Sequence, residues 1–205
     1  MEDIKGPLVR EFVSAAGEFC GLLEQASKKP TGELFSNLQQ LLPEIYLKAS
    51  RLPRPKYCYE EEPKKFVRED KYARIRDALQ QKIGLVNGIV RISPGARSNQ
   101  HELVSFNLAE GMADIYEELK NFVKLYEVGI PQAMNDAVWI CRKSYEQGLG
   151  IKLIDGLKLL HTIMYSQRSE GRRAIQSDGF NLVEEKEEDE PWNSDDQEEV
   201  YGDDE

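Results

Sequence analysis

The chain is short of the residues that build reactive centres: two histidines, three cysteines and two tryptophans among 205 residues. His101 and His161 stand far apart and belong to no His-Glu-x-x-His or paired Cys/His spacing, so a zinc centre has no ligand set. Lys158 lies three residues before His161, where a di-iron bundle would require glutamate. The expectation is a chain with no bound metal and no cofactor. Cys20, Cys58 and Cys141 are odd in number and lack Cys-x-x-Cys spacing, which argues against a disulfide framework. Cys20 and Cys141 fall on apolar helix faces and read as small core side chains in a reducing compartment. There is no Gly-x-Ser-x-Gly elbow, no phosphate-cradling Gly-x-x-x-x-Gly-Lys loop and no Gly-x-Gly-x-x-Gly turn, so nucleophilic and nucleotide-loop chemistry have no motif to rest on. Apolar runs of about eighteen residues are missing, and with them any membrane-spanning helix. The opening Met1-Glu2-Asp3 is acidic and unlike a secretory leader, so the expected location is cytoplasmic.

Charge is present but unevenly placed. Residues 178–205 hold 14 acidic side chains and one base, Lys186, a net of −13. Since the whole chain carries −10, residues 1–177 carry +3. A segment so polar cannot bury enough apolar surface to offset its conformational entropy, so 177–205 is expected to be a disordered acidic tail behind a folded domain at 1–176.

Within that domain the apolar residues recur at helical spacing. Val9, Phe12, Ala16, Phe19 and Leu23 predict a first helix opening at Pro7 and ending near Ala26. Thr31 is the expected N-cap of a second, bearing Leu34, Leu38, Leu41 and Ile45. Pro43 inside that pattern should kink it or split it. Three prolines between 50 and 66 mark a connector, and Tyr72, Ile75, Leu79 and Ile83 predict a third helix. The clearest periodicity is Leu108, Met112, Ile115, Leu119, Phe122 and Tyr126, with Glu110, Asp114, Glu117 and Asn121 off the stripe. After Gly129-Ile130-Pro131 a fifth helix carries Met134, Val138, Cys141 and Tyr145. Gly148-Leu149-Gly150 reads as its stop, and a sixth carries Leu153, Leu157, Leu160 and Met164. Residues 84–104 show no clear period. Asn87-Gly88 between Leu85-Val86 and Ile89-Val90 allows a small hairpin and Pro94-Gly95 is a turn signal, but an irregular segment with at most a short extended piece is expected. The whole predicts an all-α antiparallel bundle of about six helices.

Asp114 through Lys120, then Ala137-Val138-Trp139, then Gly150 through His161 resemble the uncharacterised bacterial family termed domain of unknown function 5063. Glu11-Phe12-Val13 and Glu18-Phe19-Cys20 are compatible with it, extending the match over residues 1 to about 165. The resemblance implies a bacterial helical domain and no established activity. It also implies further histidines within 147–161, where this chain has Gln147 and Ile151.

Three functional readings remain. The first is a non-enzymatic interaction or adaptor protein whose partner is another protein. Its contacts would lie in the tail, with Trp192 and Tyr201 as aromatic anchors, or in the basic stretch at 48–76. That stretch holds ten bases, among them Arg51, Arg54, Lys64, Lys65 and Arg68, interleaved with Tyr57, Tyr59, Phe66 and Tyr72. The second is a metal-dependent hydrolase of nucleotide-like substrates, with Asp114, Glu117 and Glu118 as carboxylates near His161; Asp114 and Glu118 share a face at i, i+4. The plainer view of these acids is a solvated polar face, and of His161 a core histidine with one ring nitrogen hydrogen-bonded. The third is a weak RNA-associated factor, since bases and aromatics together can meet phosphates and stack nucleobases.

Overall fold

A computed structural model of the chain describes residues 4–58, 65–83, 88–94 and 101–177, with backbone alone at 88–94, 101–105 and 166–177. The expected tail at 177–205, including Trp192 and Tyr201, lies outside the described residues apart from Ser177, as does Lys64. The chain divides into two units, Met1–Ser169 and Glu170–Glu205; of the second, residues 170–177 are described, as helix.

The first unit is all-α in its body. Helix α1, Pro7–Glu24, opens on Pro7 as its first residue and buries Val9, Phe12, Ala16, Phe19, Cys20 and Leu23. Helix α2, Thr31–Ser50, is capped by Pro30 rather than Thr31, with no side-chain cap bond; Thr31 is already helical. It also runs through Pro43 without dividing in two. An interior proline costs about 3 kcal/mol. Burying one large apolar side chain is worth about 1.5–3 kcal/mol, and Leu34, Leu38, Leu41, Leu42 and Ile45 are all buried. Packing therefore overrides the break. Helix α3, Glu69–Ile83, turns Ile75, Leu79 and Ile83 inward.

The stretch expected to be irregular is a two-stranded antiparallel ribbon. Strand β1, Gly88–Pro94, pairs with β2, His101–Asn107, in a register running from Gly88↔Asn107 to Pro94↔His101. Gly88 thus opens the first strand, while Asn87 lies outside the described residues. Ile89, Val90, Ile92 and Val104 supply the β-branched content that favours pairing. Seen alone, each strand is too short and too mixed for its period to declare itself. Phe106, buried near the ribbon's base, fits between two later helices: a Cβ built on Gly111 would lie 2.1 Å from its ring.

Asn107 ends β2 and caps α4, Leu108–Glu127, its Oδ1 accepting the Glu110 N–H at 3.1 Å. Beyond the expected stripe, Ala109, Gly111, Ala113, Tyr116 and Val123 are buried too, so α4 is enclosed on more than one side. It packs against α1 and α3, and against α5, Pro131–Ser144. Gly129, with φ at 78°, makes the turn between α4 and α5, which only glycine adopts without strain.

The expected break at 148–150 is absent. Helix α5 and a π-helical turn, Tyr145–Leu149, form one rod that leads without a stop into α6, Gly150–Ser177. Cys141, Tyr145, Leu149 and Leu153 are four residues apart. In an unbroken α-helix that spacing drifts by about 120° over three steps. A π turn takes up one extra residue, about 100°, and so returns Leu149 and Leu153 to the face of Cys141. All three are buried. Gly150 admits this geometry: its N–H bonds to the Tyr145 carbonyl, and a Cβ there would meet that oxygen at 3.0 Å.

Tyr116 is fully buried and donates to Glu24 Oε1 at 2.8 Å. Lys120 and Lys71 reach the same oxygen at 2.8 and 3.2 Å, so α1, α3 and α4 meet on one carboxylate. Partial burial alone would raise the pKa of Glu24. The bonds from Lys120, Tyr116 and Lys71 outweigh it and hold the group at about 2.

Two predictions follow from this packing. Gly111→Ala forces its methyl into the Phe106 ring and should destabilise by about 1–3 kcal/mol. Gly21→Ala, where a Cβ meets nothing within 4 Å, should instead stabilise by about 0.5–1 kcal/mol through helix propensity. Thermal melts of the two variants should shift in opposite directions. Glu24, with its pKa depressed in the fold, stabilises above its unfolded value and loses that contribution as pH falls toward 2. Glu24→Gln should therefore melt below the parent at pH 7 by an amount equivalent to about 1–2 kcal/mol. The gap should narrow between about pH 4.5 and 2; a gap independent of pH would refute the assignment.

Candidate functional site

The connector between α2 and α3 is strapped to the body at both described ends. At the α2 end, Arg142 donates to the carbonyls of Ala49 and Ser50 and, through Nε, to Glu146 at 2.8 Å. Arg54 reaches the same Glu146 oxygen at 3.0 and 2.8 Å, and these two guanidinium groups lower the Glu146 pKa. Further on, the buried Asp136 carboxylate accepts the Cys58 N–H at 2.8 Å, while Asn135 Nδ2 donates to the Lys56 carbonyl at 2.6 Å. Tyr57 then lies on Trp139, ring centres 4.6 Å apart. At the α3 end, Asn121 Oδ1 accepts the N–H groups of both Phe66 and Val67, at 2.7 and 3.1 Å. Lys65 pairs with Glu117 at 3.2 Å.

Beside these anchors lies a cleft of about 550 Å³ between α4 and the α5–π rod. Phe122, Ala137, Cys141 and Leu149 form its buried apolar part, and burial pushes the Cys141 thiol well above its usual range. Its other walls carry Tyr57, Phe66, Trp139, Lys65, Lys143 and Gln147. Lys143 sits 4.8 Å from the centre of the Trp139 ring. Gly148 belongs to the π turn, and a Cβ placed on it meets nothing within 4 Å.

Of the acids singled out in the sequence, Glu117 and Glu118 border this cleft, and they and Asp114 are all already engaged. Lys152 on α6 reaches Asp114 at 3.1 Å and Glu118 at 3.0 Å. Tyr72 on α3 donates to the other Asp114 oxygen at 2.7 Å, and Ser144 on α5 donates to the other oxygen of Glu118. Burial disfavours the Lys152 charge, but the attraction of Glu118 and Asp114 prevails and its pKa is raised. The π turn makes this convergence possible. Ser144 and Lys152 are eight residues apart, about 80° out of phase in a plain α-helix, and about 20° with one residue absorbed.

His161 does not join these acids and is not a core residue. It is exposed, its Nδ1 3.4 Å from Gln39 Nε2 and its ring 4.5 Å from that of Tyr165. The inward face of α6 passes through Leu153, Gly156, Leu159, Leu160 and Ile163, which turns position 161 outward. Among the described residues no group of three or more His, Cys, Asp or Glu is placed to hold a metal ion, and no helix is long and apolar enough to cross a membrane. Of the proposed partner-binding bases, Arg54 and Lys65 carry carboxylate partners, while Arg51 and Arg68 are exposed. Lys143 and Lys152 are not among the sequence candidates and Trp139 enters there only through the family resemblance, although Trp139 with Lys143 one turn on is a visible signal.

A model of the family described as "Domain of unknown function (DUF5063)" matches residues 4–166. Among solved structures, protein BF1032 from Bacteroides fragilis is 30% identical, with a TM-score of 0.70 over 80% of this chain and 96% of that one. None of the curated proteins matches.

Lys152→Met should leave Asp114 and Glu118 facing each other without their shared counter-charge and destabilise by about 1–3 kcal/mol. Adding Glu118→Gln to it should recover part of that loss. Chemical denaturation of the single and double variants measures both, and a double variant weaker than Lys152→Met alone would contradict the pairing.

Proposed function

The chain therefore belongs to the DUF5063 family, and on that footing we propose that it works as a non-enzymatic interaction protein whose recognition site is the cleft between α4 and the α5–π rod. The observation that carries this reading is the state of the carboxylates. Asp114 and Glu118 share the Lys152 ammonium, and Glu117 holds Lys65. An ammonium about 3 Å from two carboxylates stands where a hydrolytic metal would have to enter, so binding a divalent ion there requires expelling Lys152. The cleft beside them has the attributes of a binding site: a volume within the roughly 300–1,000 Å³ common for ligand pockets, an apolar floor, and few polar groups at its mouth.

The RNA reading draws less support from the fold than from the sequence. Of the basic stretch, Lys48 faces Glu11 and Glu44, Arg54 faces Glu146, Lys65 faces Glu117, Lys71 faces Glu24, Arg74 faces Asp70 and Arg76 faces Asp77. Cations so paired offer little to a phosphate backbone.

The test is a neutral fluorescent probe, N-phenyl-1-naphthylamine, titrated into the full chain. It should bind saturably to the parent and lose most of that binding in Gly148→Leu, which fills the cleft, with unchanged circular dichroism. Equal probe binding by both would remove the cleft as the site. Magnesium-dependent turnover of a nucleoside triphosphate that disappears in Asp114→Asn and Glu118→Gln would instead favour the hydrolase.

A further inference from the structure

The polar groups of the cleft differ in what they have left to give. Both Glu118 oxygens are taken, by Lys152 and Ser144, and Glu117 holds Lys65. Asn121 spends its carbonyl oxygen on the two connector N–H groups, which leaves the two N–H donors of its amide for the cleft. Lys143 has its contact with the Trp139 ring, and among the described residues no carboxylate is placed on its ammonium. Gln147 adds a carboxamide that can donate or accept, so the one charge left without a carboxylate partner is the Lys143 cation, with the Asn121 donors beside it. Beside them stand flat apolar surfaces: the Trp139–Tyr57 pair, and Phe66, 46% exposed, whose backbone is fixed in place by Asn121.

From this arrangement we propose that the cleft takes a small aromatic anion. Its ring lies against Trp139 and Phe66, and its carboxylate or phosphate accepts from Lys143 and the Asn121 amide. The proposal deepens the reading of the cleft as a recognition site and rests on it. A carboxylate beside an ammonium already over an indole gains an ion pair without losing the cation–π contact, since the cation can face both. A cationic ligand finds the reverse: both carboxylates near the floor are occupied, and the nearest charge without a carboxylate partner is of its own sign. The volume of about 550 Å³ admits a fused two-ring system with one charged substituent and leaves no room for a folded chain segment of any length.

The experiment uses three probes of one shape: 1-naphthoate, 1-naphthalenemethanol and 1-naphthylmethylammonium, titrated calorimetrically into the full-length chain. The anion should bind at least about tenfold more tightly than the alcohol, and the ammonium most weakly. Lys143→Met should cut naphthoate affinity by about tenfold and leave the alcohol unchanged, while Lys143→Arg keeps the preference. Adenosine 5′-monophosphate and inorganic phosphate, run as competitors, separate the sources: displacement by the nucleotide alone identifies a phosphate-bearing ring, and displacement by neither identifies an aryl carboxylate. Alcohol or ammonium binding as tightly as naphthoate in a Gly148→Leu-sensitive manner overturns the anion and leaves the cleft standing. Binding of all three that ignores Gly148→Leu, or no binding at all, overturns both.

Discussion

A helix enclosed by its neighbours can carry polar side chains only where those neighbours bring matching groups, and α4 is such a helix. Leaving a buried or half-buried hydroxyl or carboxylate unmatched costs free energy, so the polar residues of α4 that turn toward its neighbours constrain what may pack against it. Tyr116 requires Glu24 of α1, and through it the lysines at 71 and 120. Asp114 requires Tyr72 of α3 and Lys152 of α6. Glu118 requires Ser144 of α5. Asn121 requires the backbone entering α3. Apolar burial supplies the bulk of the stabilisation, but it is non-directional. These pairings fix which helix sits beside which.

The π turn belongs to the same constraint. One residue more than an α-helix accommodates is taken up at Tyr145–Leu149. Without it, Ser144 and Lys152 could not both face Glu118, nor could Cys141 and Leu153 share the core. The local widening also sets Gly148 against open space at the edge of the cleft. The device that keeps the core in phase thus also shapes the concavity, and such turns recur at functional sites. Glu117 and Glu118 at the wall of the cleft are spent on ion pairs and hydrogen bonds to neighbouring segments, which leaves the rings of Tyr57, Phe66 and Trp139 and the Lys143 ammonium along its sides.

Much of the helical body was legible because amphipathic periodicity is a local property. The stripes of α1, α3 and α4 could be written down residue by residue, and the family resemblance at 114–120, 137–139 and 150–161 falls on segments that pack against one another. The ribbon at 88–107 was not legible. Its stability comes from pairing two short strands and from Phe106 meeting Gly111, contacts that no window of sequence contains. The same holds for Pro43, whose local cost is visible while the burial that offsets it is not.

What the sequence by itself determined is where helices form and which of their faces are apolar, because 3.6-residue periodicity and turn chemistry act within a few residues. It also restricted the chemistry, since two histidines and unpaired cysteines supply few ligands and nucleophiles. What only the tertiary structure decided is the use of the charges and the phase of α6. Lys152 is one lysine among many until the fold sets it between Asp114 and Glu118. His161 lies on an apparent stripe until the π turn and the packing of α6 rotate it to the surface. A charge acquires its partner through space, and a helix its inward face through whatever precedes it in phase. Both are sums over distant residues, which local pattern does not contain.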